Sequence, residues 1–323
     1  MAIVDIISDI LSSLGNIFET NQEEVINSIL RAEKVIILDT CFITKLHNMQ
    51  SENVFEAFEK FADGKDKQNV VFVVTELVLY ELKDSSSNEL QAKNKEFFEK
   101  MSENGFCLLI LKEESVCENI KPLLKYSNKK WNEVFKSVIH DNVANLSFNK
   151  LIKTDTRMPY FGFSEFGYNI PGDGNFIRDI LLYLKNAKTN KDSMAEELVC
   201  TSLFIIFELT QSSNHNKYIF CSHDLRAIAR MNKAIQTSYP NMQKQFKTIN
   251  VFSFVQYMIK NEIITSKDEV IKALKKIMGE NVNLIIVEEI PFSSSDQTIM
   301  IEEAVERIFN GEHIELLGRK DKK

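Results

Sequence analysis

Residues 35 to 42, Val-Ile-Ile-Leu-Asp-Thr-Cys-Phe, constrain the fold more than any other stretch: an apolar run that stops abruptly at Asp39. Four consecutive apolar residues, three of them β-branched, read as a strand buried on both faces, and such strands belong to parallel sheets covered by helices. Comparable runs recur at Val70 to Val74, Phe106 to Leu111 and Tyr218 to Cys221, with helical periodicity between them. Strands alternating with helices predict an α/β chain, here a three-layer α/β/α sandwich around a central, mainly parallel sheet with right-handed crossovers. Asp39 then stands at the carboxyl end of a central strand, the edge at which ligands and catalytic groups collect. A carboxylate is costly to bury there unless a cation or hydrogen bonds compensate it, so other carboxylates at that edge become candidates for a shared metal.

The helical pattern divides the chain. Residues 2 to 14 place Ile3, Ile6, Ile7, Ile10, Leu11 and Leu14 on one face before Gly15, and a second helix spans about 21 to 32. The expected organisation is an N-terminal helical segment (1–32), a main domain (33–260) with an insertion at about 121–172, and a C-terminal α/β extension (261–323). Within the main domain, helices are expected at about 42 to 62, with Phe55, Phe58 and Phe61 inward before a turn at Asp63-Gly64, from Thr75 through Leu82, at 173 to 187, and from Asp192 onward. The extension reads as a helix at 267 to 278, a strand at Leu284 to Val287 and a helix at 296 to 309. The N-terminal stripe must be buried, either on the chain's own core or on a protein partner or second copy. Its polar side carries Asp rather than Lys or Arg, which argues against a membrane surface.

A chain that is 44% hydrophobic and 26% charged buries an ordinary globular core. Its formal net charge of -7 argues against a broadly basic nucleic-acid coat, so any such contact is local. Five cysteines without a CxxC pair suit reduced thiols and a cytoplasmic setting. No apolar run is long enough to span a membrane, and Asp5 and Asp9 stand where a signal peptide would be basic and then apolar.

Several carboxylates sit where the strand edge would gather them. Asp224 follows the strand Tyr218 to Cys221 as Asp39 follows its own, and if those strands are neighbours, about 5 Å apart, both can reach one divalent ion. Glu81 lies among apolar neighbours and is the better ligand candidate; Glu76, in the first turn of its helix, favours the helix dipole. Asp192 can cap its helix or bind metal, and Glu196, four residues on, points the same way, with Glu197 further round. Three or four carboxylates ionise together only around a hard cation, and an all-oxygen site suits Mg²⁺ or Mn²⁺. Thr40 and Ser222 would orient water or a carboxylate. Cys41 and Cys221 read as small buried packing residues, and His223 ranks below the carboxylates. In the stretch from Thr154 to Asp173, Arg157 with Tyr160 and Phe161 could stack the bases of a single strand, or the rings could cover the domain's own core. Arg178 and Arg226 are further candidate nucleic-acid contacts.

Leu38-Asp39-Thr40, the run Val-Val-Thr-Glu-Leu-Val-Leu-Tyr-Glu-Leu ending at Leu82, the acidic helix start near 192 and Cys221-Ser222-His223-Asp224-Leu225-Arg226 resemble the ordered acidic motifs of PIN-domain nucleases. The resemblance covers about residues 33 to 256, with Ile249 to Met258 similar to the strand and helix that close a PIN sheet. It matches Asp39 to the family's first Asp, Glu81 to its helical Glu, with Glu76 as the other register, and Ser222 with Asp224 to its final motif. The third position departs, because Asp192 stands much further from Asp224 than the family's third Asp does; Glu196, Glu197 and Asp173 are the other occupants. The resemblance implies a metal-dependent endoribonuclease that cuts single-stranded RNA, or DNA, to 5′-phosphate and 3′-hydroxyl ends. A toxin with its antitoxin, phage defence and RNA turnover are all settings open to such an enzyme. A PIN fold that binds RNA or a partner without cutting is the alternative. An α/β phosphatase or nucleotide-binding enzyme is disfavoured by the lack of a Gly-rich phosphate loop after any strand and of a second Asp two residues after Asp39.

Overall fold

The computed structural model describes residues 3–61, 69–125, 127, 130–131, 151, 154–159, 176–189, 194–210, 217–238, 240–287 and 294–316. Five strands, β1 (Lys34–Leu38), β2 (Val70–Thr75), β3 (Cys107–Leu111), β4 (Tyr218–Cys221) and β5 (Phe246–Ile249), form one sheet. All pairings are parallel and the order is β3-β2-β1-β4-β5. The apolar runs explain this directly. Along β1, Val35 and Ile37 enter one hydrophobic cluster while Ile36 and Leu38 enter another; β2, β3 and β4 alternate in the same way. Each strand is therefore buried on both faces, and helices must cover both.

The first face is covered by α2 (Gln22–Arg31), α7 (Val116–Leu124), α8 (Phe176–Asn186), α9 (Met194–Thr210) and α10 (Leu225–Ser238). The second carries α3 (Thr40–Leu46), α4 (Ser51–Phe61), α6 (Ala92–Glu103) and α11 (Val251–Lys260). The short α5 (Glu76–Glu81) follows β2 and contributes to both clusters. Phe55, Phe58 and Phe61 are all buried on the second face, where Phe58 packs edge-on against Phe72 of β2 with ring centroids 5.0 Å apart.

The helix expected over 42 to 62 is two helices. Asn48 donates from its side-chain amide to the Lys45 carbonyl and the Met49 amide bonds to Leu46, closing α3 in a tight turn before Ser51 opens α4. Asn and Ser compete for backbone partners in this way, which makes them good helix ends and poor helix interiors. The turn expected at Asp63-Gly64 lies outside the described residues.

The N-terminal helix α1 (Ile3–Leu14) buries Ile3, Ile7, Ile10 and Leu14 on the chain's own core. The expectation of a partner or a second copy on this stripe is thereby corrected. Full burial of each such side chain is worth about 1.5–3 kcal/mol, so surrendering the stripe to a partner would forfeit several. After α1, the Glu19 amide bonds to the Leu108 carbonyl at 2.9 Å and the Ile110 amide to the Glu19 carbonyl at 3.0 Å, so the incoming chain covers the open edge of β3.

The C-terminal extension has α12 (Lys267–Met278), an antiparallel sheet of β6 (Asn281–Val287), β7 (Ser294–Met300) and β8 (Ile314–Leu316) in the order β7-β6-β8, and α13 (Ile301–Phe309). Val270, Leu274, Ile301 and Val305 join the cluster that holds Phe58 and Val255, so the extension packs on the second face. The helix expected at 296 to 309 begins only at Ile301, because residues 294 to 300 pair with β6, Met300 opposite Asn281. No helix among the described residues is long and apolar enough to cross a membrane.

Candidate active site

The chain steps from β1 to β2 to β3 in one direction and then places β4 on the other side of β1, so the crossovers diverge between β1 and β4. The carboxyl ends flanking that divergence are the usual ligand position in an open parallel sheet. Asp39 and Ser222 are the first residues beyond those two strands. The Asp39 amide continues the ladder to the Cys221 carbonyl at 3.0 Å, and the Ser222 amide to Ile249 at 3.0 Å.

Asp39 is 3% exposed. Its Oδ2 accepts from the Ser222 hydroxyl and from the Cys41 thiol, each at 2.7 Å. The amides of His223 and Asp224 point at the Cys41 sulfur at 3.0 and 3.2 Å, and the Asp224 amide also reaches Ser222 Oγ at 3.1 Å. Burial pushes the Asp39 carboxyl above its ordinary pKa; the Cys41 and Ser222 hydrogen bonds oppose the rise and the charge of Glu81 adds to it. Burial, then the Asp39 charge, pushes the Cys41 thiol up strongly, so it is a neutral donor rather than a thiolate. Cys41, read from the sequence as packing, thus hydrogen-bonds the site's central carboxylate; Cys221 is buried in the core.

Glu81 closes α5. Its Oε2 accepts from the Thr40 hydroxyl at 2.5 Å and its Oε1 pairs with the Lys188 ammonium at 2.7 Å. Asp224 Oδ1 accepts from the amides of Arg226 and Ala227 at 2.8 and 3.2 Å, capping α10. The buried Nδ1 of His223 has no hydrogen-bond partner among the described residues, and burial, then Lys45, lowers its pKa. Glu196 is half-buried and Glu197 buried in the first turn of α9, whereas Asp192 and Asp173 lie outside the described residues.

The tightest acidic group is elsewhere on the same edge. Among the described residues, the one trio of potential ligands whose ligand atoms lie within 4.8 Å of one another is Glu76, Glu113 and Glu114; Asp39, Glu81 and Asp224 are not gathered so closely. Glu76 follows β2 and Glu113 and Glu114 follow β3. This buried triad could bind a metal ion, but it already encloses an ammonium. Lys185, from the last turn of α8, contacts Glu76 and lies 3.1 Å from Glu113 and 2.7 Å from Glu114. Burial works against the Lys185 charge, yet Glu113, Glu76 and Glu114 outweigh it and hold its pKa above the ordinary value. Burial raises the Glu76 carboxyl despite the pull of Lys185, and the charges of Glu113 and Glu114 add to the rise. Glu76, expected merely to favour the helix dipole, is therefore the buried member of the pair and Glu81 the half-buried one. The available signal was Lys185 itself, a lysine on the inward face of an otherwise apolar helix stripe.

The described nucleic-acid candidates lie at the surface. Arg157 is exposed and forms a two-pronged pair with Asp155 at 2.9 Å through each nitrogen, and Asp155 also accepts from the Tyr183 hydroxyl. Arg178 pairs with Glu118 at 3.0 Å, and Arg226 lies exposed in the first turn of α10. Tyr160 and Phe161 lie outside the described residues. Comparison of the chain with family models, curated proteins and solved structures found no match.

Proposed function

We propose that the chain is a metal-dependent nuclease of PIN type that hydrolyses phosphodiester bonds of single-stranded RNA. One observation carries the reading: Asp39 and the Ser222-His223-Asp224 turn meet at the carboxyl ends of β1 and β4, with Asp39 buried and met by neutral donors. A buried carboxylate at a strand end whose pKa is raised by desolvation is a candidate functional group. The donor set is hard oxygen, which fits Mg²⁺ or Mn²⁺ held by Asp39, Glu81 and Asp224, with Asp192 or Glu196 as the further ligand. Such an ion supplies a polarised phosphodiester and a more acidic water. The chain's own residues hold the frame: Ser222 and Cys41 fix the Asp39 carboxylate, Thr40 fixes Glu81, and the helix cap fixes Asp224. Arg157, Arg178 and Arg226 are exposed enough to exchange their surface partners for phosphate, since such pairs are worth only about 0–1 kcal/mol.

A second reading, a PIN-fold RNA- or protein-binding scaffold that does not cut, is favoured by the lysines: Glu81 and the Glu76 triad already have ammonium partners. Cleavage of end-labelled single-stranded RNA and matched DNA in Mg²⁺, Mn²⁺ or EDTA separates the two. The nuclease reading expects metal-dependent cutting, RNA preferred, that is lost in Asp39→Asn and Asp224→Asn. Intact substrate under every condition, with folded protein, rejects it in favour of the scaffold.

A further inference from the structure

Two buried lysines enter the carboxylate edge from one helix end. Lys185 in the last turn of α8 is anchored among Glu76, Glu113 and Glu114, and Lys188, three residues later, reaches Glu81 with a side chain only 1% exposed. The first contact fixes the helix end, so the second is presented from a rigid base. Glu81 has one oxygen on the Lys188 ammonium and the other on the Thr40 hydroxyl. A divalent ion placed between Glu81 and Asp39 would meet a carboxylate that is already neutralised, with a like charge beside it.

Resting on the metal-site reading above, we propose that Lys188 is a positioning residue that occupies Glu81 in the metal-free pocket and competes with the divalent ion for it, setting the pocket's metal affinity. The physical ground is that Glu81, bonded to the Thr40 hydroxyl next to Asp39, sets a second carboxylate beside it, while its other oxygen is already on the Lys188 ammonium at 2.7 Å. An ammonium on Glu81 lets both stay in the folded chain before any metal arrives, and it must yield Glu81 when the metal binds.

The test is calorimetric titration of the full chain with Mn²⁺ alone, without nucleic acid, for wild type, Lys188→Met, Lys188→Arg and Asp39→Asn. Lys188→Met is expected to bind Mn²⁺ at least tenfold more tightly than wild type, because it removes both the competitor and the like charge. Lys188→Arg keeps the cation and should stay near wild type, and Asp39→Asn should lose binding. If wild type binds and Lys188→Met binds equally or more weakly, the competition is overturned while the metal site stands. Absence of Mn²⁺ binding in both wild type and Lys188→Met overturns the competition and the metal site together. Should Lys188→Met fold poorly, tighter binding in the conservative Lys188→Gln decides the same question, and its absence rejects the proposal.

Discussion

Lys185→Met probes whether the carboxylate edge depends on its buried ammonium. Methionine replaces most of the lysine stem and fills the same channel, so the change is chiefly one of charge. It leaves Glu113 fully buried, with Glu76 and Glu114 at 4% and 11% exposure, and among the described residues the next cation is Lys112, 3.7 Å from Glu76. Removing one partner of a buried pair costs about 3–5 kcal/mol, because the remaining charge is uncompensated. Here one ammonium serves three carboxylates at full burial, so the upper part of that range applies, a large share of the about 5–15 kcal/mol that holds a typical domain folded. The Glu76 carboxyl already sits above its ordinary value, and the variant loses the pull that opposed the rise. A raised carboxyl pKa gives stability that is present at low pH and lost as pH climbs through the folded-state value, so the deficit must be larger near pH 8 than near pH 5. Urea unfolding followed by circular dichroism at both pH values measures it. Lys185→Met/Glu113→Leu should recover part of the loss, since one of the stranded charges is gone. A deficit below about 1 kcal/mol near pH 8, equal at both pH values and unchanged by the second substitution, would show that water or rearrangement compensates the trio, and the reasoning would fail.

Asp39→Asn should raise the melting temperature in EDTA, and the gain should grow with pH above the ordinary carboxyl value of 3.8, because the raised Asp39 pKa costs wild type stability only where the group is forced to ionise; a gain that is constant from pH 4 to pH 8 contradicts this. Cys41 and Cys221, both held as neutral thiols by burial, should resist a disulfide reagent near pH 8 in the folded chain and react once urea is added. Rapid labelling of Cys41, mapped by mass spectrometry, would place a thiolate beside Asp39 and refute the donor role.

The strands that could be read from sequence are those buried on both faces. Val35 to Leu38 and Val70 to Val74 carry continuous apolar runs because helices lie above and below them. β5 was glimpsed only at Ile249, since Lys247 is exposed at the sheet edge and the run is broken. β7 was absorbed into a helix because Ile299 and Met300 abut the true helical stripe of Ile301, Ala304, Val305 and Ile308. Pairing with β6, a contact made across a chain reversal, decides that boundary and leaves no local trace. Asp39 and Ser222 were legible for a different reason. Their position depends on where a strand stops, and a strand end is a local event. The partners of Glu76 were not legible, because they depend on which helix terminus arrives above which strand.

That arrival has its own logic. A parallel sheet whose carboxyl edge collects Asp39, Glu76, Glu81, Glu113 and Glu114 has to fold around them, and unpaired buried carboxylates would oppose it. The return helix α8 delivers its carboxyl terminus to that edge, where the helix dipole favours cations, and it carries Lys185 in its last turn and Lys188 just beyond. Two ammonium groups thus bond four of the five carboxylates, leaving Asp39 to neutral donors. Asp39 is then the group on which an added cation has most to gain, because it alone of the five bonds neutral partners rather than an ammonium.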